Sequence, residues 1–355
     1  MSHPLIARAA AREVRQAAAF RDAAAAMTGE SLREDFEIER QHAPRLADAG
    51  RIYLVKRSGK PASERRKTRD LEHLGSALLR YCREKGEGLA LPEESGTLEL
   101  LDYQVRVKAV RADDPATRGI GRIDLLGLID GQRLAVVRMR FVEPGARRCG
   151  VGDTPLHVLL DGLAHTAIAS ACREDIAREV AERFGREVSP EPPVLIFLAS
   201  PRYWELCRKR SAQKGAAWIK ELTRLAREVE AETQVPVHYL ALRLQGDPGW
   251  LYDEQGPLLE GMPLIADAWE PGADRVKPKP RLRARAVSPV DEIVEADLSR
   301  PARVYAFSDQ YLAGDRISHP ILGEGVVQGL AGDGKIRVRF DESEKVLVHE
   351  RAVSA

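Results

Sequence analysis

Residues 121–141 read GRIDLLGLIDGQRLAVVRMRF, and this stretch decides the fold. Apolar side chains alternate along both of its halves, which predicts strands over 122–129 and 134–141. The Asp130-Gly131 pair between them is a turn signal, so the strands are expected to form an antiparallel hairpin. Such a hairpin brings together Asp124, near the start of the first strand, and Arg138 and Arg140, near the end of the second.

The length of the hairpin loop determines which charges share a face. A three-residue loop at 130–132 places Asp124 opposite Arg138, with Arg140 two residues further along the same face. This register gathers the charges at one corner, whereas a two-residue turn scatters them over both faces of a buried sheet. Because buried unpaired charge is costly, we predict the three-residue loop and an Asp124–Arg138 pair.

The sequence around the hairpin alternates between helical and strand-like periodicity. Leu71, Leu74, Leu78 and Tyr81 recur at helical spacing, and Thr154-Pro155 is a helix start signal. The order of elements predicts one α/β domain with helices on both faces of its sheet. The further predicted elements are helices over 4–27, 31–49, 67–85, 154–184 and 204–233, and strands over 52–55, 98–110, 193–199 and 237–244.

This succession of a helix, a three-stranded meander, a helix and a strand, with Gly121-Arg-Ile-Asp124 on the second strand, resembles the PD-(D/E)xK nuclease superfamily. The sequence of this motif is most similar to that of the RecB-type and restriction-like members. In that family the aspartate at the position of Asp124 binds magnesium, and the third strand supplies an acid and a lysine. Here those positions are Arg138 and Arg140. A guanidinium repels a hard cation, so the resemblance implies a nuclease fold that keeps a DNA cleft, has no catalytic residue and needs no cofactor.

An enzymatic alternative stays open: a Mg²⁺-dependent DNA endonuclease of repair or phage defence in which another acid replaces the missing ligand. The candidate acids are Glu72, Glu99, Asp102 and Glu143. A second candidate metal set is Asp124, His157, Asp161 and His165. The last three are spaced by four along one helix, a pattern that also fits a hydrogen-bonded polar edge.

Two basic segments are candidates for contact with nucleic acid. The first precedes the nuclease-like region and reads either as a solvated loop or as a phosphate-contacting patch. The second, over 270–302, is basic and Pro-rich and is expected to be an extended linker, either a spacer or a tether. The predicted nucleic-acid-binding residues are Lys56, Arg57, Lys60, Arg65, Arg66, Lys67, Arg138 and Arg140.

The C-terminal stretch over 303–355 is rich in glycine turns and short alternating strands, which predicts a small β-barrel. Its segment GDRISHPILGEGVV at 314–327 resembles the Tudor-like, SH3-like barrel of UvrD-type helicases and CarD-like transcription factors. In those families the barrel docks on RNA polymerase or another protein. Residues 303–355 include seven basic and eight acidic side chains, so their net charge does not favour nonspecific binding to DNA. A protein partner is therefore favoured.

Composition is consistent with a folded protein of the cytoplasm. Of 355 residues, 44% are hydrophobic and 31% are charged, and 55 Lys and Arg balance 54 Asp and Glu, so any basic surface is local. The four cysteines form no CxxC pair, which disfavours a zinc site and a disulfide scaffold. No apolar run reaches the length of a membrane span.

The combined expectation is a bacterial adaptor in which an inactive nuclease-like domain binds DNA and a tethered barrel binds a protein such as RNA polymerase or a helicase. A protein-binding transcription regulator without DNA affinity is a further alternative. The expected domains are an N-terminal helical region with its basic loop (1–66), a nuclease-like mixed sheet flanked by helices (67–269), the linker (270–302) and the all-β barrel (303–355).

Overall fold

A seven-stranded mixed sheet lies in the first of the two units into which the chain divides, Met1–Arg275 and Val276–Ala355. A separate five-stranded sheet lies in the second unit. The prediction of an α/β domain and a separate C-terminal sheet is confirmed at this level. The computed structural model describes residues 3–55, 70–92, 95–109, 117–150, 152–209, 217–268, 293–332, 334–341 and 343–349.

The described part of the first unit contains nine strands. They are β1 (Leu89–Ala90), β2 (Thr97–Arg106), β3 (Arg122–Ile129), β4 (Arg133–Arg140), β5 (Val194–Ala199), β6 (Val237–Arg243), β7 (Trp250–Asp253), β8 (Gly256–Leu259) and β9 (Leu264–Asp267). The large sheet has the order β1-β2-β3-β4-β5-β6-β9. β1 to β4 pair antiparallel, β4, β5 and β6 pair parallel, and β9 returns antiparallel to β6.

The β3–β4 hairpin has the register predicted from its charge pattern. Ile129 pairs with Arg133 and Leu125 with Val137, so three residues form the loop and Asp124 faces Arg138 one step further. The loop begins with Asp130 and Gly131 at φ of 49° and 71°, left-handed conformations that aspartate and glycine tolerate best.

Helices cover both faces of the large sheet, as predicted. The helix Asp70–Lys85 and the β7–β8 hairpin pack on one face, and the N-terminal helices together with the helices from Pro155 to Thr233 pack on the other. The two faces therefore bury separate apolar cores. The described helices are α1 (Pro4–Ala10), α2 (Arg12–Arg15), α3 (Phe20–Ala25), α4 (Gly29–Gln41), α5 (Asp70–Lys85), α6 (Pro155–Ala171), α7 (Arg173–Phe184), α8 (Pro201–Arg208) and α9 (Trp218–Thr233).

The predicted single helix over 4–27 is wrong, because three short helices occupy this stretch. Ala11 and Gln16 interrupt the helical run with extended backbone conformations. Leu5 and Val14 are both buried in the same core. On one continuous helix these two residues, nine positions apart, would point in opposite directions, so burying both requires the chain to turn.

Two other predicted elements also differ. The helix starting at Thr154-Pro155 is interrupted at Cys172, whose buried thiol hydrogen-bonds to the carbonyl of Pro44, and it continues as α7. Residues 52–55 form no strand in the described chain. Their backbone N–H groups at Tyr53 and Leu54 instead donate to the carboxylate of Glu179 at 2.9 and 2.8 Å.

The second unit is a small five-stranded sheet around its own core. Its strands are β10 (Arg303–Val304), β11 (Arg316–His319), β12 (Gly323–Gly332), β13 (Lys335–Phe340) and β14 (Glu344–Val348), paired in that order. β10 and β11 are parallel and the other pairs antiparallel. The core residues are Tyr311, Ile317, Val327, Ile336, Val338 and Phe340. Gly325 is required in β12, since a Cβ there would lie 2.7 Å from the Phe340 ring.

Candidate functional site at the sheet corner

The corner predicted from the sequence lies where β3 begins and β4 ends, on the face of the sheet that α6 covers. β4 and β5 run parallel, with Arg138 beside Phe197 and Arg140 beside Ala199. The corner is therefore at the carboxyl ends of parallel strands, the end at which open α/β sheets bind their ligands.

Protein donors surround the carboxylate of Asp124. Its Oδ2 accepts a hydrogen bond from the backbone N–H of Met139 at 2.8 Å and lies 3.3 Å from Nη1 of Arg138. Its Oδ1 accepts from Nε2 of Gln104 at 3.3 Å. Gln104 reaches it from a backbone with φ of 50°, which is uncommon for a residue other than glycine. Both oxygens are thus engaged within the protein.

Arg138 links the sheet to α6. Its Nη2 lies 2.6 Å from Oδ2 of Asp161 on the helix, and its Nη1 donates to the carbonyl of Arg122 at 2.5 Å. Only 9% of the side chain is exposed. The expectation that Arg138 contacts a phosphate does not match this placement, because the guanidinium is buried between two carboxylates.

The close approach of α6 to the corner depends on Gly162. A Cβ at this position would lie 2.8 Å from Leu195 and 3.2 Å from Cγ of Arg138. A larger residue would push the helix away from β4 and lengthen the Arg138–Asp161 contact. The glycine therefore sets the distance at which the ion pair forms.

His157 and His165 lie along α6 with Asp161, but their ring nitrogens contact different partners. Nδ1 of His157 is 2.9 Å from the carbonyl of Ala9, and Nδ1 of His165 is 2.6 Å from the carbonyl of Asp161. A carbonyl only accepts, so both Nδ1 atoms carry the proton. Burial lowers the pKa of both imidazoles. With Asp124 these residues were the alternative metal set, and no group of three or more His, Cys, Asp or Glu side chains in the described residues is placed to hold a metal ion.

Arg140, the second predicted phosphate contact, is also ion-paired. Its Nε lies 3.1 Å from Oδ1 of Asp153, and its Nη1 donates to the carbonyl of Met139 at 2.7 Å. Burial alone would lower the pKa of Arg140, but the carboxylates of Asp153, Asp124 and Asp161 raise it. Arg140 therefore stays charged and largely covered.

The four acids that could replace a missing metal ligand differ in their placement, and Asp102 lies opposite Leu126, on the sheet face that carries Asp124. Asp102 accepts from the backbone N–H of Val55 at 2.9 Å. Glu99 lies near the hairpin end of β2, away from the corner. Glu72 is buried on α5, the helix that packs on the opposite face of the sheet, and Glu143 is exposed after β4.

The predicted basic patch lies outside the described residues. It comprises Lys56, Arg57, Lys60, Arg65, Arg66 and Lys67. Residues 269–292, which include most of the predicted linker, also lie outside them. The roles assigned to both segments stay predictions.

A second cluster of cations, next to the corner, was missed by the sequence reasoning. A groove of about 450 Å³ is lined by Arg15 at the end of α2, Arg147 and Arg148 after β4, and Lys209 after α8. We call these four residues and their surface the basic groove. Only the adjacent pair Arg147-Arg148 is visible as a sequence signal, because the other two residues are far away in the chain.

No protein-family model, curated protein or solved structure matches this chain. Among the helices of the described residues, none combines the length and the apolar character needed to cross a membrane.

Proposed function

We propose that this chain is a nucleic-acid-associated adaptor. Its first unit binds nucleic acid through a nuclease-like fold without cleaving it, and its C-terminal unit docks on a protein. The observation that carries the proposal is the position of the Arg138 guanidinium, 3.3 Å from Asp124 and 2.6 Å from Asp161.

The order of elements around the corner supports a nuclease-like assignment. α5 precedes the antiparallel strands β2, β3 and β4, α6 follows them, and β5 then pairs parallel with β4. This is the order on which the resemblance to PD-(D/E)xK nucleases rests. Asp124 and Arg138 lie opposite each other, and on this resemblance they stand at the positions of metal ligands in that family.

The chemistry of the corner favours binding without cleavage. A hard divalent cation requires several oxygen ligands, usually including carboxylates. Here a cation would have to displace Arg138 from both Asp124 and Asp161, and the guanidinium is fixed on the same strand as part of the chain. The guanidinium of Arg138 already supplies the positive charge that a metal ion would otherwise place beside these carboxylates.

The second unit is better suited to a protein partner than to nucleic acid. Its charges nearly balance, and several of its apolar side chains are exposed: Ile321 at 87%, Leu330 at 68% and Val346 at 57%. A docked protein would remove apolar side chains of this kind from water, which is favourable in proportion to the area buried. The resemblance to Tudor-like barrels makes RNA polymerase or a helicase the partner class to test first.

The proposal is tested by following binding and cleavage of the same DNA. We expect salt-dependent binding to linear and supercoiled DNA, with no nick in the presence of Mg²⁺ or Mn²⁺. Cleavage that disappears in Asp124→Ala would instead indicate the endonuclease. Failure to bind DNA even at low salt would instead favour the regulator that binds only proteins.

A further inference from the structure

We infer that the phosphates of a nucleic-acid backbone bind in the basic groove, beside the ion-paired corner and not inside it. The inference rests on the proposed function and names the surface that performs it. It places recognition on exposed side chains, since Arg138 is buried between Asp124 and Asp161 and Arg140 is paired with Asp153.

Most of the positive charge in the basic groove is not neutralised by a described side chain. Arg15, Arg147 and Arg148 are exposed, and none of them forms an ion pair with a described residue. Lys209 is exposed too and pairs with Glu205. Within the described chain, no acidic side chain lines the groove.

Two acids close to the groove, Asp153 and Glu205, each pair with an arginine that does not line it. Asp153, whose carboxylate lies beside Gly150, pairs with Arg140 at 3.1 Å. Glu205 forms an ion pair with Arg202, whose Nη1 lies 2.6 Å from its Oε2, and a second ion pair with Lys209. Both carboxylates therefore have their own cations, and the three arginines, which form no ion pair with a described residue, give the groove an excess of positive charge that favours an anion.

The shape of the groove admits a phosphate close to the backbone. Gly150 and Gly152 form part of its wall, and Gly152 has φ of 79°. A Cβ at Gly152 would lie 2.7 Å from Nε of Arg15, so the glycine also makes room for the guanidinium. Guanidinium groups beside bare backbone are a suitable environment for phosphate oxygens.

The lining of the groove favours nucleic acid over an acidic protein segment. Its described residues include no aromatic side chain, and Leu206 is the largest apolar one among them. Protein interfaces rely on buried aromatic and apolar anchors, whereas backbone phosphates need only positioned charge. Without aromatic platforms for base stacking, binding should be independent of sequence.

The test uses the full chain with a fluorescently labelled duplex of arbitrary sequence, its single strand, and a poly-glutamate peptide. Affinities are measured over a series of salt concentrations. The test variant is Arg147→Ala/Arg148→Ala. The control is Lys85→Ala/Arg227→Ala, which removes the same charge from exposed side chains. These lie on α5 and α9, near the opposite end of the sheet.

We expect the test variant to bind the duplex at least about tenfold more weakly at physiological salt. The slope of log K against the logarithm of the salt concentration (the salt slope) should be shallower by about 2. The control should bind as the unchanged protein does, and Arg147→Lys/Arg148→Lys should retain most of the slope. Equal thermal unfolding of all four proteins checks that the exposed substitutions leave the fold intact.

Three outcomes overturn the inference in distinguishable ways. If the unchanged protein binds nucleic acid and the test variant binds it equally well, the groove is wrong while the proposed function stands. If no nucleic acid binds at low salt, the proposed function fails together with the groove. If only poly-glutamate binds, and does so through Arg147 and Arg148, the groove serves an acidic protein.

Discussion

Asp124 and Arg138 face each other across β3 and β4, with Nη1 of the arginine 3.3 Å from Oδ2 of the aspartate and both side chains less than a tenth exposed. The same guanidinium reaches Asp161 on α6. One cation therefore balances two buried carboxylates contributed by different elements. Removing the arginine would leave both carboxylates in a poorly solvated environment.

We expect Arg138→Met to lower the free energy of unfolding by about 3–5 kcal/mol, because it keeps the bulk of the side chain and leaves two buried anions unpaired. The matched control is Arg40→Met, which removes one exposed ion pair with Glu37. That change should cost no more than about 1 kcal/mol. Urea denaturation measures both, and equal losses would contradict a supporting role for Arg138.

Neutralising the acids should rescue the arginine variant. We expect Arg138→Met combined with Asp124→Asn and Asp161→Asn to recover most of the lost stability, since no uncompensated buried charge then remains. The measurement is the coupling free energy between the three positions. Strictly additive losses would show that the three side chains act independently.

Acidification should weaken the protein through Asp161. Burial alone would raise the pKa of this carboxyl, but Arg138, the two histidines of α6 and Arg140 hold it below the ordinary value of 3.8. A lowered pKa contributes stability above 3.8, and that contribution is lost as the pH falls through the folded value. We expect Asp161→Asn to be less stable near neutral pH and to lose less stability below pH 3.8. Equal pH slopes in the two proteins would contradict this.

The two histidines of α6 should titrate below the ordinary pKa of 6.5, because burial disfavours their charged forms. The unfolded chain then takes up protons first, so stability falls as the pH drops below 6.5. NMR titration of the imidazole signals, assigned with His157→Asn and His165→Asn, gives the midpoints. A midpoint at or above 6.5 would show that the ring lies in a more solvated or more acidic setting.

In the second unit, Asp315 fixes the loop before β11. Its carboxylate accepts from the backbone N–H of Leu312 at 2.9 Å and pairs with Arg300 at 2.8 Å and Arg303 at 3.0 Å. We expect Asp315→Ala to lower the free energy of unfolding of this unit by about 2–4 kcal/mol. Asp341→Ala, at an exposed position, should change it little.

Hydrogen exchange of the full chain reports this loss directly. Backbone amides of the β10–β14 sheet should exchange faster in Asp315→Ala. All four tryptophans lie before residue 276, so their fluorescence reports on the unfolding of the first unit. The unfolding transition followed by this fluorescence should be the same in the variant and in the unchanged protein. A variant with unaltered exchange in the second unit would show that the carboxylate is not needed there.

The sequence was sufficient to predict the corner because alternation and charge act together on a two-residue period. A shift of one residue would have buried Arg138 on the other face, so the register of Asp124 and Arg138 followed from the cost of burying charge. The three-residue loop that begins at Asp130 follows from the same cost. Strand periodicity is therefore informative where one face carries all the polar groups.

Other features depend on contacts between distant segments and were not predictable. The N-terminal stretch has the composition of one helix, but the burial of Leu5 and Val14 in one core breaks it. The helix interruption at Cys172 depends on a contact with Pro44. The basic groove likewise combines Arg15 with residues more than a hundred positions away, and no local pattern indicates that neighbourhood.

Isothermal titration with Mn²⁺, carried out in parallel on the unchanged protein and on Asp124→Ala, tests most directly whether an arginine has replaced the metal at the corner. We predict the same weak, unsaturated heats for both proteins, because Arg138 occupies the carboxylates that an ion would need. Stoichiometric Mn²⁺ binding by the unchanged protein that is lost in Asp124→Ala would contradict this account.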